Sequence, residues 1–225
     1  MIRPSVDVIR VGAEGESLVV IDGFAPDPER LVNEAEAATL TTLGAYYPGV
    51  RAPVGERYCA EIGPLVAGAA RRIFGFTRTL AFDRALFSLS VTPPADLALA
   101  QRIPHIDDVA PGKLAIVHYL SHADWGGTRF FRHRSTAFET ITPTRHRDYL
   151  DALADDLRMH GEPAPGYIEG DTAIFADIGH VAPAYNRAVI YRSSLLHCAA
   201  ISNDRMLPPV PRDGRLTIAS FLSAA

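Results

Sequence analysis

The sequence has only two cysteines, Cys59 and Cys198, among its 225 residues. Two thiols cannot staple a small secreted scaffold, so a core must do that work, and a reducing cytoplasm is the simpler setting. A basic excess is missing too: 22 Lys and Arg stand against 26 Asp and Glu, a net charge of −4. Such a surface has little with which to neutralise a phosphate backbone, so nucleic acid is not expected as a partner. No apolar run reaches the roughly 18 residues of a membrane span. Residues 1–10 alternate polar and apolar types and lack the apolar centre of a signal peptide. What the chain does have is apolar content, 48% against 21% charged. That composition is ordinary for a globular protein with a sizeable core. It also has eight histidines. No feature of the sequence sets an oligomeric state.

The length fits one domain over 1–225 better than two, because no linker or composition break divides it. Residues 17–24 form a short apolar run closed by Asp22-Gly23, a strand ending in a turn. Asp27 and Pro28 then supply a cap and a first-turn proline, which predicts a helix over 27–43. A second short helix is predicted over 64–74, so the helical support spans about 25–80. Beyond Phe82 the pattern turns to strands, at 82–91, 113–121 and 128–132. A helix over 145–160 interrupts them, with Tyr149, Leu150, Leu153 and Leu157 on one stripe and Gly161 as its stop. Four short strands follow, at 171–175, 187–193, 195–201 and 215–222. Many short strands with helices kept to the start and one insertion point to a β-sandwich or barrel.

The chemistry-bearing residues lie in the strand-rich part. In Pro104-His105-Ile106-Asp107-Asp108, His105 and Asp107 are two apart, and in extended chain residues i and i+2 share a face. A lone His-x-Asp arises often by chance. His197, ninety residues later in an otherwise apolar strand, supplies a second imidazole. Two histidines and one carboxylate make a three-ligand face with open positions, which suits non-heme Fe(II). Asp108 has the wrong parity for that face and is expected behind the site or in solvent. Arg215 and Thr217 share a strand face by the same alternation. A guanidinium pointing into a barrel needs an anionic partner and can hold a carboxylate by two parallel hydrogen bonds.

Taken in order, His105-Ile-Asp107, the run from Lys113 through Tyr119 to Ser121, Asp124-Trp125-Gly126-Gly127-Thr128, His197 and Arg215-Leu-Thr217 resemble the Fe(II)/2-oxoglutarate-dependent oxygenases, in their prolyl-hydroxylase-like branch. Residues 82–222 carry the resemblance. Asp22-Gly23-Phe24, Asp27-Pro28 and Tyr47-Pro-Gly-Val-Arg51 are similar to an uncharacterised bacterial subfamily. The resemblance implies a double-stranded β-helix, a jelly roll of about eight strands. It implies His105, Asp107 and His197 as iron ligands, and Arg215 with Tyr119, assisted by Thr217, as the holders of the far carboxylate of 2-oxoglutarate. It further implies an oxygenase that uses O₂ and hydroxylates a small molecule or amino-acid-like substrate. Three departures stand out: Ser121 replaces an asparagine, the Gly-Gly turn runs to Thr128 without a glutamate, and eighteen residues separate His197 from Arg215 where nine or ten are commoner. Arg205 lies closer to the usual spacing and is the rival carboxylate binder, but it precedes Met-Leu-Pro-Pro, which cannot pair as a strand. The alternative reading is a cupin-like metal-binding jelly roll that does not use 2-oxoglutarate.

The remaining histidines divide by context. His118 faces opposite to Tyr119 in an apolar strand and reads as structural. His122, His146 and His160 fall in a loop and a polar helix. The Arg132-His133-Arg134 cluster reads as a solvated loop or, less commonly, as a basic rim of the site. The segment Tyr46 to Arg51 is either a lid over the site or a turn whose tyrosines pack on the barrel.

Overall fold

The computed structural model describes residues 3–224; Met1 and Ile2, part of the expected alternating N-terminus, lie outside the described residues. Ten strands form two antiparallel sheets. The larger contains β1 (Ser5–Val11), β2 (Glu16–Asp22), β8 (Arg187–Arg192), β5 (Lys113–Tyr119), β10 (Arg215–Ala224), β4 (Leu80–Ser90) and β3 (Gly49–Pro53), in that spatial order. The smaller contains β7 (Phe175–Val181), β6 (Thr128–His133) and β9 (His197–Ala199). An isolated bridge between His105 and His197 extends it by one short strand. The two sheets face each other as the expected jelly roll.

The period-2 alternation of the strands decides what lies on each face of the large sheet. Val19, Ile21, Phe87, Leu89, Leu114, Ile116, Ile218 and Leu222 point outward and pack on two helices, α1 (Pro28–Ala37) and α2 (Glu56–Arg72). Their neighbours one residue along, including Leu18, Val20, Ala115, Tyr119, Val189 and Tyr191, point inward and meet Phe130 and Val181 of the small sheet. After the one-turn helix α3 (Leu99–Arg102), the longer α4 (His146–His160) covers the outer face of the small sheet, with Phe131 and Phe175, through Tyr149, Leu153 and Leu157.

Several boundaries differ from the sequence pattern, for local reasons. Asp27 does cap α1, accepting the Arg30 N–H at 3.1 Å. The helix nevertheless stops at Ala37 instead of 43, because Thr41 pairs with Arg51 through two backbone hydrogen bonds of 2.9 and 2.7 Å and pulls the chain straight. α2 starts at Glu56, two turns before the expected residue 64. Tyr58, Ile62, Val66 and Ala69 form one apolar stripe that runs through Pro64, so packing outweighs the lost helical N–H. The strand expected at 171–175 begins only at Phe175, since Thr172 Oγ1 accepts the N–H groups of Ile174 and Phe175 in a turn. The strand expected at 195–201 is reduced to His197–Ala199. Residues 49–53 of the expected turn region form β3, and β1 is a strand that the pattern left unassigned. Leu150, expected on the packed stripe of α4, is 46% exposed and lies at the edge of the cavity described below. No helix of the described residues is long and apolar enough to cross a membrane.

Candidate active site

Inside the barrel, between the two sheets, lies a cavity of about 620 Å³. His105 and His197 lie directly opposite each other in the antiparallel bridge, each donating its backbone N–H to the other's carbonyl at 2.9 Å. Their rings therefore meet, with centroids 4.4 Å apart. Asp107, two residues along, donates its N–H to the Ser193 carbonyl at 2.8 Å, which turns its carboxylate back toward the rings. The Asp107 oxygens lie 4.0 Å from His105 Nε2 and 3.5 Å from His197 Nε2. One ligand atom from each of the three residues falls within 4.8 Å of the other two.

The donor set fits a divalent cation. His197 Nδ1 donates to the Leu195 carbonyl at 2.8 Å, which leaves the Nε2 lone pair facing Asp107. Burial lowers the pKa of His197 to about 4. That of His105 is lowered by desolvation within the barrel and then by the neighbouring His197. Both imidazoles are thus neutral near pH 7, the form that ligates. Burial pushes the Asp107 carboxyl up, and its carboxylate makes no hydrogen bond among the described residues. One carboxylate and two neutral imidazoles with open lone pairs are a donor set that suits a divalent cation.

The wall beside this triad is built by β10, β4 and β3 in register. Arg215 lies opposite Ser90, and Thr217 lies opposite both Ser88 and Tyr119. Arg215 is 4% exposed. Its Nε donates to the Gly126 carbonyl at 3.1 Å and its Nη2 to the Gly127 carbonyl at 2.9 Å. Nη1 lies 3.4 Å from Ser90 Oγ. The two glycines permit this arrangement. A Cβ at Gly126 would stand 1.9 Å from the Ala200 carbonyl oxygen, and one at Gly127 1.8 Å from that of Val181. Arg215 has no carboxylate partner among the described residues, and it lines the cavity with Thr217. Tyr119 is fully buried, and its hydroxyl is 2.6 Å from the Oγ1 of Thr128, a residue that does line the cavity.

Other expectations resolve clearly. Asp108 points away and accepts the Ala110 N–H at 2.8 Å. Arg205 lies outside the cavity, with its guanidinium 4.0 Å from the centre of the Trp125 ring. His118 is buried on the helix-facing side of the large sheet, between Tyr58 and Asn186. The Arg132-His133-Arg134 cluster is no rim of the site, and only Arg134 lies in a solvated turn. His133 is fully buried under α4 with Nε2 3.0 Å from Asp156, Arg132 pairs with Glu139, and Arg134 with Asp171. His146, read as an ordinary helix residue, lies at the cavity edge.

Among the cavity residues that the sequence pattern gives no role are Arg84, Tyr167 and Tyr191. Tyr191 packs edge-on to His197, with centroids 4.7 Å apart. Arg84 shares strand parity with Ser88 and Ser90, a signal visible in the alternation alone. Tyr47, from the segment with two readings, lines the cavity, and its hydroxyl is 3.0 Å from Ser90 Oγ.

A family model described as a family of unknown function (DUF6445) matches residues 2–222. No curated protein matches in sequence. Among solved structures, the chain is similar to HygX from Streptomyces hygroscopicus with iron bound, at a TM-score of 0.55 and 12% identity over 94% of this chain and 84% of that one. HygX has also been solved with nickel and 2-oxoglutarate bound. The chain is similar as well to a Pseudomonas putida prolyl-4-hydroxylase, at 0.51 and 14% over 94% of this chain and 95% of that one. A third likeness is to SnoN, a non-heme α-ketoglutarate-dependent epimerase from nogalamycin biosynthesis, at 0.52 and 12% over 93% and 78%. At these identities the likeness is one of fold: the chain shares the jelly-roll core of these structures.

Proposed function

This chain belongs to the DUF6445 family, and we propose that it is an Fe(II)- and 2-oxoglutarate-dependent oxygenase acting on a small molecule. The observation that carries this reading is the convergence of His105, Asp107 and His197 in a cavity whose adjoining wall holds the buried, carboxylate-free Arg215. The three side chains would hold Fe(II) from one side. The metal would supply O₂ activation, coupling conversion of 2-oxoglutarate to succinate and CO₂ with hydroxylation of a substrate C–H bond.

The chain's own residues handle everything else. The Leu195 carbonyl fixes the His197 tautomer, so the ring need not reorganise on ligation. Arg215 is held by two backbone carbonyls, with donor capacity left for the far carboxylate of 2-oxoglutarate. Tyr47 offers its hydroxyl to the same group, and Thr217, whose own hydroxyl donates to the Ser88 carbonyl at 3.2 Å, lines the wall beside it. Tyr119 acts one hydrogen bond behind them, through Thr128. Both cysteines are free thiols, in keeping with a reducing cytoplasm.

The test is succinate release from 2-oxoglutarate with Fe(II) under air, together with metal binding by His105→Ala and Asp107→Ala. Normal metal binding by both variants would refute the assignment. Metal binding with no thermal shift from 2-oxoglutarate would favour a cupin-like protein instead.

A further inference from the structure

The proposed reaction leaves one feature of the cavity unused. Arg51 and Arg84 both line it, and neither makes an ion pair or a side-chain hydrogen bond among the described residues. Other arginines of this chain, such as Arg187 with Asp22 and Arg212 with Glu29 and Glu36, do find carboxylates. Arg51 is half-buried, and its Nε is shielded from solvent without an acceptor. A partly desolvated guanidinium without an anion is costly unless a ligand completes it.

Both groups are pre-positioned. The Arg51 guanidinium lies over the Tyr47 ring at 3.9 Å, and that of Arg84 lies over the Phe221 ring at 4.3 Å. Stacking on an aromatic face fixes the plane of the fork and leaves its N–H edge free. Register puts them on the wall that carries Arg215. Arg51 is opposite Ser88, one inward-facing position from the Ser90 and Arg215 level, or roughly 7 Å along the strand. Arg84 lies four residues further along β4, on the same face. Arg51 and Arg84 line the same cavity as His105, Asp107 and His197. A group held by this pair would therefore lie within reach of the triad, yet apart from the Arg215 position. Across the cavity the lining is apolar and aromatic, with Ile103, Tyr149, Leu153, Tyr167 and Ile168.

We propose that Arg51 and Arg84 are the anchor for an oxyanion, a carboxylate or phosphate, on a small substrate whose apolar body lies against Tyr149, Tyr167 and Ile168. Calling that molecule a substrate rests on the oxygenase reading; the anion site itself does not. It gives the Tyr47-Pro-Gly-Val-Arg51 segment its purpose: Tyr47 positions the Arg51 fork at the cavity wall.

Calorimetric titration of the full chain tests this, both metal-free and loaded with Ni(II) plus saturating 2-oxoglutarate. The probes are 3-phenylpropionate, octanoate and phenyl phosphate, with 3-phenylpropionamide and octanamide as uncharged counterparts. At least one acid is expected to bind about tenfold tighter than its neutral counterpart, the scale of a charge-assisted pair. Arg51→Gln and Arg84→Gln should each erase most of that preference, while Arg51→Lys keeps part of it. The 2-oxoglutarate dissociation constant should change by less than about twofold in all three, since Arg215 is intact. Arg84 is exposed, so its variant folds even if an Arg51 variant does not. The phosphate probe binding tightest would identify the anion as phosphate and keep the site. Equal binding of acids and amides, or no binding of any acid, would overturn the proposal. So would a loss of 2-oxoglutarate affinity in Arg51→Gln, which would give this arginine to the co-substrate. If metal and 2-oxoglutarate fail to bind but the metal-free chain still prefers acids through Arg51, the oxygenase reading falls and the anion site stands.

Discussion

His118 and His197 sit in similar sequence surroundings, each a lone imidazole in an apolar run, and burial holds both near a pKa of about 4. They nevertheless occupy opposite environments. His118 faces the helices, and both of its ring nitrogens are taken: Nδ1 lies 3.3 Å from the Tyr58 hydroxyl and Nε2 3.0 Å from Asn186 Oδ1. His197 faces the barrel interior, and only Nδ1 is taken, by the Leu195 carbonyl. A histidine with both nitrogens satisfied is a structural cross-link. One with a fixed tautomer and one open lone pair is a ligand in waiting. The side of the sheet decides the role, and a one-residue change of parity moves a residue between the two.

The sharpest way to break this comparison is to remove a group from each side. Asp107→Ala or His197→Ala should weaken divalent metal binding by more than about a hundredfold, beyond the cost of losing an outer partner. His118→Gln should leave it unchanged; calorimetry or metal analysis after gel filtration reads both. Next in size, Arg215→Leu should raise the 2-oxoglutarate dissociation constant by about 10- to 100-fold, the worth of about 1.5–3 kcal/mol of charged hydrogen bonding. Metal binding should persist in that variant. The pH dependence sharpens the same contrast. A folded-state imidazole pKa below the unfolded value means that the unfolded chain binds more protons as pH falls, so stability is present above about pH 6.5 and lost toward pH 4. For the metal-free chain that loss should approach about 1.4 kcal/mol per pH unit for each imidazole held neutral. His118→Gln should flatten the slope of Tm against pH even as it lowers Tm at pH 7. The smallest effect belongs to Arg205→Ala, outside the cavity: less than about 0.5 kcal/mol in stability and no change in 2-oxoglutarate binding.

Much of the site was legible in the sequence because it depends on alternation. His105 with Asp107, Arg215 with Thr217, Asp108 turned away and His118 facing the helices all follow from the two-residue period of extended chain. The Gly126-Gly127 turn was legible as a motif, although its reason was not: the close carbonyls of Ala200 and Val181 exclude any Cβ there. What escaped notice depends on long-range pairing. The helix expected to 43 ended early because Thr41 found Arg51. Pro64 looked like a helix start because the packed stripe of α2 only becomes decisive once Phe87 and Leu216 lie beneath it. His133 joined Asp156 through a helix whose docking no local pattern announces.

By itself, then, the sequence determined the strand-rich class, the parity of each candidate ligand and the absence of a disulfide framework. Those properties are set by neighbours one or two residues apart and by composition. Only the tertiary structure decided that His105 meets His197, that Arg215 and not Arg205 reaches the cavity, and that Arg51 and Arg84 share its wall without an ion pair among the described residues. These depend on which strands pair and in what register, and register is set by burial summed over the whole sheet rather than by any one segment.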